Sequence, residues 1–206
     1  MIAIIDYGVG NLFSLCSSLE RIGADAQVTS DPDVICKADK LILPGVGAFG
    51  DAVAKLRATG LDKVVLEQAE KGKPIMGICL GMQMLFEKSY EFGEHTGLGL
   101  LKGSVIGMEG TIPEELKIPH IGWNALHFQK ESKLLRYIKE GDCVYFVHSI
   151  YATDCDESVI ATADYGKELT AAVQQGIVMG CQFHPEKSGQ VGLAILRAFC
   201  ESEEKV

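Results

Sequence analysis

The chain has 206 residues, 47% of them apolar and 23% charged, and carries a net charge of −9. That length and balance predict one soluble domain spanning 1–206 with a substantial buried core. The acidity argues against a nucleic-acid grip and no apolar run approaches a membrane span, so neither kind of partner is expected.

The opening Met1-Ile2-Ala3-Ile4-Ile5 runs straight into Asp6, with no charged-then-apolar leader. Together with seven cysteines and no C-x-x-C pair, this predicts a cytoplasmic protein with reduced thiols and no structural zinc. Cys16, Cys36, Cys143, Cys155, Cys181 and Cys200 read as packing residues.

In chain order, Ile2 to Ile5 reads as a buried strand. Leu12, Leu15, Leu19 and Ile22 form one helical face that stops at Gly23. Ala26 to Thr29 and Leu41 to Leu43 read as the next strands. Ala52, Val53 and Leu56, then Val64, Val65 and Ala69, mark helices ahead of a strand at Ile75 to Ile78. This alternation predicts parallel β-α units, whose active sites lie beyond the carboxyl ends of the strands. The loops that begin at Asp6, Pro44 and Cys79 should therefore converge.

The second half changes rhythm. Val105-Ile106, Ala125 to Phe128, Cys143 to Val147, Val159 to Ala163 and Ala171 to Val173 are short strands with few helices between them, predicting an antiparallel or mixed extension of the sheet. Val178 to Phe183 is a further strand running into His184-Pro185-Glu186. A closing helix buries Val191, Ile195, Leu196 and Phe199, and Glu201 to Val206 reads as a frayed, charged end.

Chemistry concentrates at Gly77-Ile78-Cys79-Leu80-Gly81. Glycines two residues either side of a cysteine, between a strand and a helix, form the thiol counterpart of the G-x-S-x-G nucleophile elbow. The helix that starts there favours a thiolate at Cys79. His184 and Glu186 lie two residues apart at the end of a strand, so in extended chain they face one site. That supplies the base and the orienting acid of a Cys-His-Glu triad. His120 and His148 are competing bases, but neither has an acid two residues on.

Pro44-Gly45-Val46-Gly47-Ala48-Phe49-Gly50 contains G-x-G-x-x-G after a strand. A dinucleotide loop, a plain turn and an oxyanion hole are all open to it; the last fits best, since a cofactor would leave Cys79 and His184 unexplained. The N–H of Leu80 is its natural second donor. Gln83, one helical turn after Cys79, suits either a substrate amide or a helix surface. Lys88 to His95 is a polar, glycine-punctuated stretch suited to the pocket edge, and Trp123 reads as core unless it is exposed.

These motifs resemble those of the class I, triad-type glutamine amidotransferases. The nearest likeness is to glutaminase subunits of imidazole glycerol phosphate synthase. Gly77-Ile78-Cys79-Leu80-Gly81-Met82-Gln83 and His184-Pro185-Glu186 are similar to the superfamily's nucleophile and base-acid motifs. The narrower likeness rests on Asp6-Tyr7-Gly8-Val9-Gly10-Asn11, Pro44-Gly45-Val46-Gly47, Pro119-His120-Ile121-Gly122-Trp123-Asn124 and Lys187-Ser188. The resemblance implies a flavodoxin-like fold with a mostly parallel central sheet flanked by helices. It also implies no cofactor or metal, with L-glutamine as substrate. Cys79, His184 and Glu186 would be catalytic, the N–H groups of Val46, Gly47 and Leu80 would hold the oxyanion, and Gly45, Gln83 and Glu91 would contact the substrate. A (β/α)8 barrel synthase subunit would complete a heterodimer and use the ammonia, with the Gly45 to Gly47 loop as the switch between inactive and active glutaminase. Two rivals fit part of the pattern: a free-standing Cys-His hydrolase, and a redox sensor with an oxidisable elbow thiol.

Overall fold

The computed structural model describes residues 1–202. The first half alternates as β1 (Ile2–Ile5), α1 (Leu12–Arg21), β2 (Ala26–Thr29), α2 (Pro32–Lys37), β3 (Lys40–Leu43), α3 (Phe49–Ala58), α4 (Leu61–Glu70) and β4 (Ile75–Ile78). A one-turn helix α5 (Leu80–Met84) follows at once. Then come β5 (Phe86–Ser89), β6 (His95–Thr96), β7 (Leu101–Gly107), β8 (His120–Ala125), β9 (His127–Phe128), β10 (Cys143–His148), β11 (Ile150–Thr153), β12 (Val159–Asp164), β13 (Glu168–Gln175), β14 (Val178–Cys181) and the last helix α6 (Gly189–Cys200).

The main sheet runs β2-β1-β3-β4-β14-β13-β12-β9. Its first five strands are mutually parallel, and β13, β12 and β9 extend it in antiparallel fashion. Both faces are covered, so the inner strands are apolar on alternate sides. Ala3 and Ile5 of β1 join the core beneath α3 and α4, with Leu56, Leu61 and Val65. Ile2 and Ile4 join the opposite core, with Leu15 and Leu19 of α1 and Ile195, Leu196 and Phe199 of α6.

The second half departs from the expected single extension. β11-β7-β5-β6 forms a separate four-stranded sheet, and β10-β8 a separate antiparallel ribbon. The expected strand Ala125 to Phe128 is divided at the buried Leu126, whose N–H donates to the Asp142 carbonyl while β8 pairs with β10 and β9 with β12. Within the polar stretch Lys88 to His95, Lys88 and Ser89 belong to β5 and pair with Thr96 and His95.

Glu201 and Ser202 are not frayed. Glu201 accepts from Arg136, Tyr137 and Arg197, and the buried Lys40 ammonium caps the end of α6 through the carbonyls of Phe199, Cys200 and Ser202. The expected charged end beyond them, 203–206, lies outside the described residues. Among the cysteines read as packing residues, Cys36 and Cys143 are exposed. Among the described residues, no helix is long and apolar enough to cross a membrane.

Candidate active site

The loops after β1, β3 and β4 converge as parallel topology requires. The Tyr7 hydroxyl donates to the Pro44 carbonyl at 2.8 Å, and Gly45 lies against the elbow. Cys79 stands between β4 and α5 with φ +54° and ψ −112°, a strained conformation for a residue with a Cβ. Two close approaches hold it there. A Cβ on Gly77 would fall 2.5 Å from the Met82 Cα, and one on Gly81 would fall 1.8 Å from the Leu43 carbonyl oxygen. Those contacts, rather than free rotation, explain the glycine spacing.

Cys79 lines a cavity of about 280 Å³ with Val46, Gly47, Leu80, Gln83, Glu91 and His184, and its wall also takes in Pro119, Val147, His148 and Lys187. The structure thus gathers the elbow and the glycine loop with the C-terminal motif, which lies more than a hundred residues further along the chain. Gly45 stays behind the wall, where a Cβ would meet the Gly81 nitrogen at 2.7 Å.

His184 and Glu186 meet through a different backbone from the extended one expected. Pro185–Lys187 is a single 3₁₀ turn, which brings His184 Nδ1 to 2.8 Å from Glu186 Oε1; side chains two apart in a strand point the same way but stand too far apart for this. The turn is fixed by Pro185 and by α6, where a Cβ on Gly192 would lie 1.9 Å from the Pro185 carbonyl oxygen. The His184 backbone N–H donates to the Tyr145 carbonyl at 2.9 Å, anchoring this residue to the β8–β10 ribbon. Burial disfavours an imidazolium at His184, but hydrogen bonds and charge from Cys79 and Glu186 outweigh it and raise the pKa to about 9.

The competing histidines go another way. His148 Nδ1 donates to the Ile150 carbonyl at 2.9 Å, which leaves its Nε2 to accept from His120 Nδ1 at 3.2 Å. Burial pushes the His148 pKa down to about 3, the Ile150 contact opposing and the nearby His120 and His184 adding to the shift. Burial likewise lowers His120, which stacks between Tyr165 and Phe146. A neutral, locked pair is unsuited to the base role that His184 can fill.

Gln83 is buried rather than on a helix surface. Its Nε2 donates to the Ile150 carbonyl at 3.0 Å and to Gln182 Oε1 at 2.8 Å. Glu91 Oε2 accepts from the Phe49 N–H at 2.6 Å, so it caps α3 while facing the cavity. Trp123 is 58% exposed, on the ribbon beside Tyr145 and Lys187. Sequence reading passed over Gln182 and Tyr7. A glutamine inside an otherwise apolar strand end was the available signal for the first, and Tyr7 carried none.

Comparison with known proteins agrees with this geometry. The family model of class-I glutamine amidotransferases matches residues 3–202. The chain is 52% identical over 205 residues to the imidazole glycerol phosphate synthase subunit HisH of Aquifex aeolicus, covering 98% of this chain and 97% of that one. It is 50% identical over 203 residues to the same subunit of Syntrophotalea carbinolica, covering 97% and 98%. Among solved structures, a glutamine amidotransferase superposes with TM-score 0.76 at 20% identity, covering 98% of each chain. PurLQS from Thermotoga maritima superposes with TM-score 0.73 at 21% identity, covering 96% of each, and both show the shared fold. The chain belongs to the class-I glutamine amidotransferase family and, within it, to the HisH subunits of imidazole glycerol phosphate synthase.

Proposed function

We propose that the chain, as one amidotransferase domain, hydrolyses L-glutamine to glutamate and ammonia in the cytoplasm and passes the ammonia to a (β/α)8 barrel synthase subunit in histidine biosynthesis. The observation that carries this reading is that Cys79 and His184 line one cavity, with His184 hydrogen-bonded on its Nδ1 side to Glu186 behind it. His184 takes the Cys79 proton, and the sulfur attacks the side-chain amide carbon of glutamine. The resulting oxyanion is met by backbone N–H groups of Val46, Gly47 and Leu80. His184 then gives the proton to the departing nitrogen, releasing ammonia and leaving a γ-glutamyl thioester. Water, losing a proton to the same histidine, attacks the thioester; glutamate leaves and the thiol is restored. Gln83 and Glu91 line the cavity where the substrate's polar groups would sit.

An exposed apolar strip supports a partner over the cavity mouth. Val46 and Pro119 line the cavity, the exposed Ile118 adjoins Pro119, and the exposed Ile121 and Trp123 follow on β8. The test is glutamate release by the chain alone and with the barrel subunit plus its nucleotide ligand, with Cys79→Ala as control. Strong stimulation that the substitution abolishes is expected. Equal activity with and without the partner would instead indicate a free-standing hydrolase.

A further inference from the structure

A chain of buried amides ends on the sulfur of Cys79, and the steps above make no use of it. Gln182 follows β14, two residues before His184, and is completely buried. Its backbone N–H donates to the Ala171 carbonyl, so the residue is held as a continuation of the sheet. Which end of its carboxamide faces the sulfur is decided two residues away. The Ile150 carbonyl only accepts, so the Gln83 group at 3.0 Å from it must be the NH₂. His148 Nδ1–H donates to the same carbonyl. The Gln83 NH₂ also reaches Gln182 at 2.8 Å, which must therefore present its oxygen. The Gln182 NH₂ is left facing Cys79, with Nε2 at 3.7 Å from Sγ.

On its other side the sulfur lies 3.9 Å from the Val147 carbonyl oxygen. An acceptor there favours the thiol, which can donate to it, and opposes a thiolate. A buried N–H donor does the reverse, and a bond to a charged acceptor is the stronger kind. We infer that Gln182 is a positioning residue for the nucleophile, its Nε2–H holding the Cys79 sulfur in the cavity and favouring the thiolate, with Gln83 anchoring that amide from behind. This deepens the proposed function and rests on Cys79 being its nucleophile.

The titratable groups acting on Cys79 are His184 from the last loop, Tyr7 from the loop after β1 and Cys181 from β14. Glu91, His148 and Lys187 line the same cavity, and Glu186 acts through His184. None of these is altered by Gln182→Met, which keeps length and apolar bulk but removes the donor.

The experiment is the rate of Cys79 alkylation by iodoacetamide against pH, read by mass spectrometry of the Cys79 peptide in the full chain, with no partner or glutamine present. Gln182→Met is expected to move the half-point upward by about one pH unit, making alkylation about tenfold slower below it. Gln83→Met, which keeps Gln182 but releases its oxygen, is expected to give a smaller shift in the same direction. It carries the test if Gln182→Met does not fold. Half-points unchanged in the folded variants would overturn the inference, even if glutamate release fell. Shifted half-points in a chain whose wild type releases no glutamate even with the partner subunit and its nucleotide ligand would keep the inference and sink the proposed function instead.

Discussion

At the scale of single residues, the site sets opposing demands on neighbouring groups. Glu186 Oε1 is hydrogen-bonded to His184, while its buried Oε2 has no hydrogen-bond partner among the described residues, a cost typical of functional sites. Glu186→Gln is expected to lower the glutaminase turnover by about 10²–10⁴-fold, measured as glutamate release with the partner present. The histidines also set the pH dependence of stability. His184 has its folded pKa raised to about 9, so its contribution is full below about pH 6.5 and is lost as pH rises through about 9. His148 has its folded pKa lowered to about 3, so its contribution is present above about pH 6.5 and is lost as pH falls toward 3. Urea midpoints measured from pH 4 to 10 should therefore fall on both sides of neutrality. His148→Gln should flatten the acid limb by about 1.4 kcal/mol per pH unit, the slope of one proton. An unchanged acid limb would mean that His148 is not held neutral in the folded protein.

At the scale of elements, the elbow and the end of α6 show how far local pattern reaches. The strand-cysteine-helix passage was legible because the glycine spacing is local, and the structure adds the reason each glycine is there. Gly81→Ala places a methyl group against the Leu43 backbone, so a loss of more than about 3 kcal/mol, or insoluble protein, is expected. Thermal melting of Gly81→Ala beside wild type checks it. Lys40 was unremarkable in sequence, as the first residue of a short strand. Its burial against the carbonyls that end α6 depends on a contact about 160 residues away. Lys40→Met removes the ammonium donor from the Cys200 and Ser202 carbonyls and should cost about 2 kcal/mol or more by urea unfolding. The spacing of His184 and Glu186 predicts that they meet, and they do, yet their 3₁₀ turn was not foreseeable, because it is imposed by Pro185 together with the close approach of Gly192 on another element.

At the scale of the whole molecule, the β8–β10 ribbon stands apart from the main sheet and touches both Cys79 and His184. The Val147 carbonyl approaches Cys79 and the Tyr145 carbonyl holds the His184 backbone, while Trp123 on the same ribbon points to solvent. Trp123→Ala should leave the melting temperature of the isolated chain nearly unchanged. It should weaken binding of the synthase partner subunit by about tenfold or more, as measured by calorimetry. The sequence by itself determined the parallel β-α first half, the elbow at Cys79 and the meeting of His184 with Glu186, because each is written in local periodicity or in residues a few positions apart. Only the tertiary structure decided that the second half divides into an extension and two smaller sheets, that Trp123 is exposed, and that a Gln83–Gln182 chain ends on the sulfur. Strand partners, burial and the direction of a buried amide are set by groups distant in the chain, and no local pattern of residues encodes which of them will meet.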